Sequence, residues 1–427
     1  MRLRKNKNTF IRYERYGGFV YLLNQKNQNK TKITNKKDAF LFWLASKGRQ
    51  VDDNRKIKDW VKKGYLEKVN GEKKERVFDN KQEKKLFNQE LNKKPKAYTS
   101  TLLLATIEIT SKCNYCCQHC GNDSGIKRKN ELSLKEIRKL ITEMEKFGVL
   151  KLTLTGGEPL LSKDFEKILE FATQKIPRVT VTSNGSLIDK KTSKRLRKAG
   201  VATLKISLDG TESFHDQFRG HKGAYQKAIQ AIRNLLKEGI EVRVQSTLMQ
   251  DNPKEILALM PILSRLRIKI HIIVPVSPIG RASEKQMLKP EEYKRFILKV
   301  NKKAKELNSK TIFEIRPVFG LNLKANLEVL STKYKCEALK TTLEITSDGK
   351  VIPCSFFPLV LGDVRKDTLK KIWRSRETNR IRKIFNDKYL KGKCSLCHFR
   401  KECGGGCLAN SYALLNRFHL GDVYCWR

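Results

Sequence analysis

The sequence predicts an α/β fold: a partial (β/α)6 TIM-like barrel between an N-terminal winged-helix-like unit and a cysteine-rich C-terminal unit. Three observations predict it. Between residues 102 and 320, short β-branched runs alternate with amphipathic helical stretches. Three of those helices stop at Gly148, Gly200 and Gly239, each followed at once by Val or Ile. That is the pattern of a left-handed helix end feeding the next strand. Finally, residues 330–427 hold seven of the eleven cysteines.

The strands of the barrel are expected at 106–109, 151–155, 179–182, 203–207, 242–247 and 269–274. The first helix is the best signed. Ser133 and Glu136 have capping-box spacing, and Leu134, Ile137, Leu140, Ile141, Met144 and Phe147 fall on one face. Chemistry in such barrels sits at the carboxyl ends of the strands.

The N-terminal unit is expected over residues 8–80. Residues 10–14 and 18–23 read as two strands around Gly17-Gly18. Thr34 or Asn35 caps a helix whose apolar face is Ala39, Phe40, Trp43 and Leu44, ended by Gly48. A second helix near 55–63 turns Ile57, Trp60 and Val61 inward and ends at Gly64, and 65–69 is a short strand. A DNA-binding winged helix or a structural cap would read the same way. Residues 81–101 are polar and form a linker.

Composition narrows the class. The chain has 427 residues and a net charge of +46. The first hundred residues carry 28 Lys+Arg against 11 Asp+Glu, twice the excess density of the remainder. Such charge attracts an acidic peptide or a nucleic acid. The lysines are scattered rather than interleaved with aromatics, so host composition accounts for them equally, and a nucleic-acid partner is not favoured. No apolar run is long enough to cross a bilayer and no secretory h-region begins the chain. The expectation is a cytoplasmic protein whose cysteines hold metal rather than disulfides.

The motif around which these parts are arranged is Cys113-Asn114-Tyr115-Cys116-Cys117-Gln118-His119-Cys120. Cys113, Cys117 and Cys120 have the spacing C-x3-C-x2-C, which holds three corners of a [4Fe–4S] cube and leaves one iron free. Structural zinc is the rival, but it favours two pairs of ligands. The loop follows the apolar run 102–109, and the next strand ends in Gly156-Gly157-Glu158-Pro159. Together these features resemble the radical S-adenosylmethionine (SAM) enzymes. The C-terminal cysteines, Cys336, Cys354, Cys394, Cys397, Cys403, Cys407 and Cys425, with Gly349, resemble the SPASM domain over residues 330–427.

The resemblance implies three [4Fe–4S] clusters and SAM as cofactors. It implies a radical SAM oxidoreductase that cleaves SAM reductively to a 5′-deoxyadenosyl radical, with a donor such as flavodoxin or ferredoxin. It places backbone groups of Gly156, Gly157 and Glu158 on the SAM ammonium, His119 on the adenine, and Ser207 and Arg219 on the ribose and carboxylate. Glu158 as a loop anchor and Arg219 in a surface ion pair are the plainer alternatives. It assigns Cys394, Cys397, Cys403 and Cys425 to an outer cluster. Cys336, Cys354 and Cys407 go to an inner one, whose fourth iron would be open because no twelfth cysteine exists. Cys116 is left as a small apolar filler. The N-terminal unit, with Glu14-Arg15-Tyr16-Gly17-Gly18, resembles the recognition element of peptide-maturing members, which binds a leader as an added strand. A maturase of a ribosomally made precursor peptide, forming a thioether or other crosslink, is therefore expected. Sulfatase-maturing, cofactor-synthesising and RNA-modifying members are the alternatives. The first is weakened because Ser355, not Asp, follows Cys354.

Overall fold

The computed structural model describes residues 102–316 and 336–427, with the N-terminal segments 3–5, 9–14, 19–24, 30–33, 42, 55–62 and 66–68. In the N-terminal unit, β2 (Thr9–Glu14), β3 (Phe19–Asn24) and β4 (Lys30–Ile33) form an antiparallel meander with β3 in the centre. β1 (Leu3–Lys5) pairs antiparallel with β5 (Leu66–Lys68). The two strands expected on either side of Gly17-Gly18 pair antiparallel, Glu14 with Phe19, and the turn itself lies outside the described residues. The helix Arg55–Lys62 buries Ile57 and Trp60 as expected, and Trp60 meets Phe42 edge-on at 5.0 Å. Strands β1 and β4 were not expected: Leu3-Arg4-Lys5 and Lys30-Thr31-Lys32-Ile33 are too short and too charged to show a period. The helix expected from residue 39, apart from Phe42, lies outside the described residues. So does the linker 81–101, and the winged-helix topology rests on those segments.

The barrel strands are β6 (Leu104–Glu108), β7 (Lys151–Thr155), β8 (Arg178–Ser183), β9 (Thr203–Ser207), β10 (Glu241–Leu248), β11 (Ile270–Pro275) and β12 (Ile312–Ile315). They are parallel and lie in chain order. Six expected strands are present and a seventh, β12, extends the edge. At four residues with Ile312 exposed, it carries little pattern. At the other edge, β13 (Thr342–Ile345) pairs parallel with β6, and the antiparallel strands β14 (Lys350–Ile352) and β15 (Gly362–Asp363) follow. The cysteine-rich unit thus begins as a continuation of the barrel sheet, which carries Cys354 to the barrel mouth.

The outer face of the sheet is apolar. Leu152, Leu154, Val179, Val181, Leu204, Ile206, Val242 and Val244 are buried in one core with the helices Leu134–Phe147, Phe165–Lys175 and Ala224–Lys237. Each such side chain contributes about 1.5–3 kcal/mol by leaving water. The capping box forms, the Ser133 N–H donating to Glu136 at 2.8 Å, and Gly148 closes the helix at φ +80°. Gly200 and Gly239 also take positive φ, as the helix-to-strand turns require. Among the described residues no helix is long and apolar enough to cross a membrane.

Candidate active site

The loop after β6 is pinned from both sides. Ser111 N–H donates to Glu131 at 2.6 Å, and Cys113 N–H donates to Gly125 O at 2.9 Å. From β7, Gly157 N–H donates to Thr110 O and Glu158 N–H to Lys112 O, both at 2.8 Å. A Cβ on Gly156 would lie 2.4 Å from Thr110 O, and one on Gly157 2.4 Å from Lys112 O. The two glycines are needed here for backbone against backbone. The amides of Gly157 and Glu158 are committed to the cysteine loop.

Cys113, Cys117 and Cys120 line one cavity with His119, Gly156, Gly157, Thr182, Ser183, Asn184, Ser207 and Arg219, at the carboxyl ends of the strands. The structure therefore gathers the residues predicted for the first cluster and SAM in one place, except Glu158; the seven C-terminal cysteines do not line this cavity. Glu158 is fully buried and does not face the cavity. It accepts from Ser183 Oγ at 2.9 Å, Asn184 N–H at 2.8 Å and Leu160 N–H at 3.3 Å, tying β7 to β8. Its carboxylate is the loop anchor, and burial pushes its pKa up to about 7 against those bonds. Cys116 is exposed, not packed as an apolar filler, because the loop turns it away from Tyr115 and Cys117, which are buried.

Arg219 is not on the surface. It closes the helix Glu212–Arg219 and is 8% exposed. Its Nε donates to Asp209 Oδ2 at 2.7 Å and Nη2 reaches the same oxygen at 2.5 Å, leaving Nη1 3.7 Å from Cys117 Sγ. Burial alone would raise the carboxyl of Asp209; Arg219, with His119 and His215, outweighs it and holds the pKa below the usual range. His119 stacks flat on Phe218, with ring centroids 4.2 Å apart, and desolvation lowers its pKa to about 3, so it is a neutral ring. Arg281 was not anticipated. Its Nε donates to Cys117 O at 2.9 Å and Nη1 to Ser124 O at 2.8 Å, while its own N–H donates to Cys120 O at 3.0 Å. Neighbouring Gly280 has φ +61°, and a Cβ there would lie 2.3 Å from Cys120 O. The signal was available: Gly280-Arg281 follows the last expected strand, where barrel chemistry collects.

The C-terminal cysteines form two groups. Burial raises the Cys407 thiol well above its usual value, and Cys354 and Cys336 act on it through space. Cys394 is pushed up to about 11 by burial and by Cys425, Cys403 and Cys397. Asp422 lies between the groups. It accepts from Cys407 N–H at 2.7 Å and Asn410 Nδ2 at 3.1 Å, and acts electrostatically on cysteines of both. Asn410 Oδ1 in turn accepts from Ser277 Oγ at 2.5 Å, and Ser277 lines the barrel cavity. Ser355 also lines that cavity. Its N–H and Oγ donate to Glu344 Oε2 at 3.0 and 2.7 Å.

Comparison with known proteins agrees with this geometry. The radical SAM superfamily model matches residues 107–260, and SPASM, an iron-sulfur cluster-binding domain, matches residues 336–398. The chain is a radical SAM enzyme with a SPASM domain. An AdoMet-dependent heme synthase of Methanosarcina barkeri is 29% identical over 343 residues, covering 77% of this chain and 97% of that protein. The subtilosin biosynthesis protein AlbA of Bacillus subtilis is 27% identical over 339 residues, covering 76% of this chain and 71% of that protein. The crystal structure of Streptococcus suis SuiB bound to precursor peptide SuiA shares the fold, with TM-score 0.71 at 20% identity, covering 100% of both chains.

By residue type the thiols of this radical SAM enzyme fit iron–sulfur cofactors, although among the described residues no three cysteine, histidine or carboxylate side chains already converge on one metal-binding point. Buried thiols such as Cys113, raised to about 11 by burial and by their sulfur neighbours, need a strongly cationic partner to ionise. Around the barrel loop that charge is shared with the buried Arg219, while Arg281 clamps the loop backbone.

Proposed function

We propose that this enzyme modifies a ribosomally made precursor peptide, forming a thioether or other crosslink, and that its N-terminal unit takes the leader as an added strand. The supporting observation is the β2–β3–β4 meander, whose outer strands β2 and β4 each pair on one side only among the described residues. An edge of that kind accepts an extended peptide through main-chain hydrogen bonds. SuiB, bound to a precursor peptide, matches the whole length including this unit. AlbA and the mycofactocin maturases of Mycobacterium tuberculosis are further relatives named for such products.

With reducing equivalents from a small donor such as flavodoxin or ferredoxin, the cluster and SAM supply a 5′-deoxyadenosyl radical that abstracts hydrogen from an unactivated carbon. The chain's residues do the rest. Cys113, Cys117 and Cys120 hold the barrel cluster. The carbonyls of Gly156 and Gly157 take the ammonium, and Ser207 and Asn184 bound the pocket. Arg219 Nη1 supplies positive charge beside Cys117, and His119 offers an apolar edge to the adenine. Cys336, Cys354 and Cys407 hold the inner cluster next to Ser355, and Cys394, Cys397, Cys403 and Cys425 the outer one.

Deleting residues 1–80 should weaken precursor binding while SAM cleavage continues, read by calorimetry and by 5′-deoxyadenosine formation. Unchanged peptide affinity overturns the reading. A second reading, haem-type cofactor synthesis, is favoured by the heme synthase relative, 97% of which aligns here. Haem accumulation on expression, with no mass change in any co-expressed precursor peptide, would favour it.

A further inference from the structure

The inner face of this barrel is polar on β7 to β10. A βα barrel ordinarily fills its lumen with branched apolar side chains. Here the inward positions on β7 to β10 are Thr182, which lines the SAM cavity, and deeper Thr153, Thr180, Lys205 and Arg243. Side chains alternate along each strand, so these lie on the face opposite Leu152, Val181, Leu204 and Val244, which pack on the helices.

Lys205 is central to that face. It sits two residues before Ser207, a cavity wall, hence about 6.6 Å deeper. In register it lies beside Thr182 on β8 and Arg243 on β10. The other cations here are spent: Arg243 on Glu241 at 2.7 Å, Arg178 on Glu241 at 3.3 Å, Arg316 on Glu314. Lys205 makes no hydrogen bond or ion pair among the described residues. Glu344 acts on it only through space and is already bonded to Ser355. Next to it, the hydroxyls of Thr182 and Thr180 are buried and also lack a protein partner, Thr180 being 2% exposed. Lys205 itself is half-buried, and the unpaired buried hydroxyls on the strand beside it are costly unless something satisfies them.

The chemistry selects the ligand. One ammonium beside hydroxyl donors matches a carboxylate, one oxygen for each. A phosphate would call for more cationic donors, and Arg243 is engaged. We infer that Lys205 and Thr182 form a carboxylate-binding subsite at the floor of the SAM cavity, which holds an acidic group of the substrate and so presents a nearby carbon to the cavity. Desolvation, reinforced by Arg316 and opposed by Glu344, lowers the Lys205 pKa to about 8, which makes the amine reactive enough to follow directly.

The inference deepens the peptide reading and its choice of probes rests on that reading. An acidic side chain and a chain terminus both supply the carboxylate. In the reconstituted holoenzyme with SAM, acetylation of Lys205 by an N-hydroxysuccinimide ester is followed by peptide mass spectrometry. The additions are N-acetylglutamate α-amide, N-acetylglycine or N-acetylglutamine amide. At least one carboxylate should slow Lys205 acetylation about tenfold, and the neutral glutamine should not. Protection by the glutamate alone assigns a side chain, and by N-acetylglycine alone a terminus. Thr182→Val should raise the concentration needed about tenfold. Equal protection by glutamine, no protection by either acid, or a Lys205 that never reacts overturns the inference. Protection without peptide crosslinking sinks the peptide reading alone; crosslinking with unprotected Lys205 sinks this inference alone.

Discussion

Asp209 has no exposed surface, yet it organises the charges of the cavity. Its carboxylate holds Arg219 through two nitrogens and accepts the Thr247 N–H at 2.8 Å. Asp209→Asn should therefore leave Arg219 buried without a counter-charge and cost about 3–5 kcal/mol, read as a lower denaturant midpoint of the anaerobic protein. The pH dependence has a definite sign. The folded pKa of Asp209 is depressed, so its stabilisation is complete above the unfolded value of about 3.9 and is lost as pH falls through the lower folded value. Glu158 runs the other way. Its pKa is raised to about 7, so the folded state binds the extra proton and stability declines from about pH 4.3 toward 7. Glu158→Gln should flatten that decline, measured as denaturant midpoint against pH, at the expense of one of the two bonds to Ser183 and Asn184. At this scale the sequence shows residues whose spacing is their signal, the cysteines above all, and Arg219 by its motif. Asp209 and Arg281 are single charges whose partners lie elsewhere in the chain. For Arg281 they are more than 150 residues away, beyond any local pattern.

Among the elements, the cysteine loop is held by backbone rather than by side chains, and glycines decide its position. Gly157→Ala would set a methyl group against Lys112 O, where only backbone could yield. The loop should shift and 5′-deoxyadenosine formation fall by at least about tenfold, since near-ångström misplacement of reacting groups costs that much or more. Far-UV circular dichroism should stay unchanged, because the helices and strands do not depend on the loop. In the SPASM unit, Gly421 has φ +80° and a Cβ there would lie 2.4 Å from Cys394 Sγ. Gly421→Ala should cost the outer cluster, about four irons per chain, by iron and sulfide assay. Strands β6 to β11 were legible because a buried apolar face alternates with polar positions, and glycine ends the helices before β7, β9 and β10. β12 and β13 were not. Each has four residues, and their place at the two edges of the sheet is set by long-range pairing, β13 with β6 across more than two hundred residues.

Across the whole molecule, the cysteine count, the sheet continuity and the polar links describe one connected chemical path. β13 lies against β6, so Cys354 and Ser355 arrive at the same mouth as Cys113, and Ser277, Asn410 and Asp422 join the cavity wall to the auxiliary cysteines. The barrel cluster and the SPASM clusters therefore have separable duties. Replacing Cys336, Cys354 and Cys407 together by Ala should leave SAM cleavage measurable while abolishing modified product, because under the proposed function the radical would arise at the barrel loop while the inner set, next to cavity-lining Ser355, would act on the substrate. Loss of both activities together would mean that the SPASM unit holds the barrel open and nothing more. The inner set contains three thiols, and the remaining cysteines are claimed by the barrel loop and the outer group, apart from exposed Cys116. If the inner set holds a [4Fe–4S] cluster, these three thiols would leave one of its irons without a cysteine ligand. With the barrel cysteines replaced by Ala, an added small thiol such as 2-mercaptoethanol should shift the electron paramagnetic resonance of the reduced auxiliary clusters. The shift should vanish when Cys336, Cys354 and Cys407 are also removed. A spectrum indifferent to the thiol would mean that a protein group closes the inner cluster, and the substrate would then meet the inner cluster only as an electron acceptor.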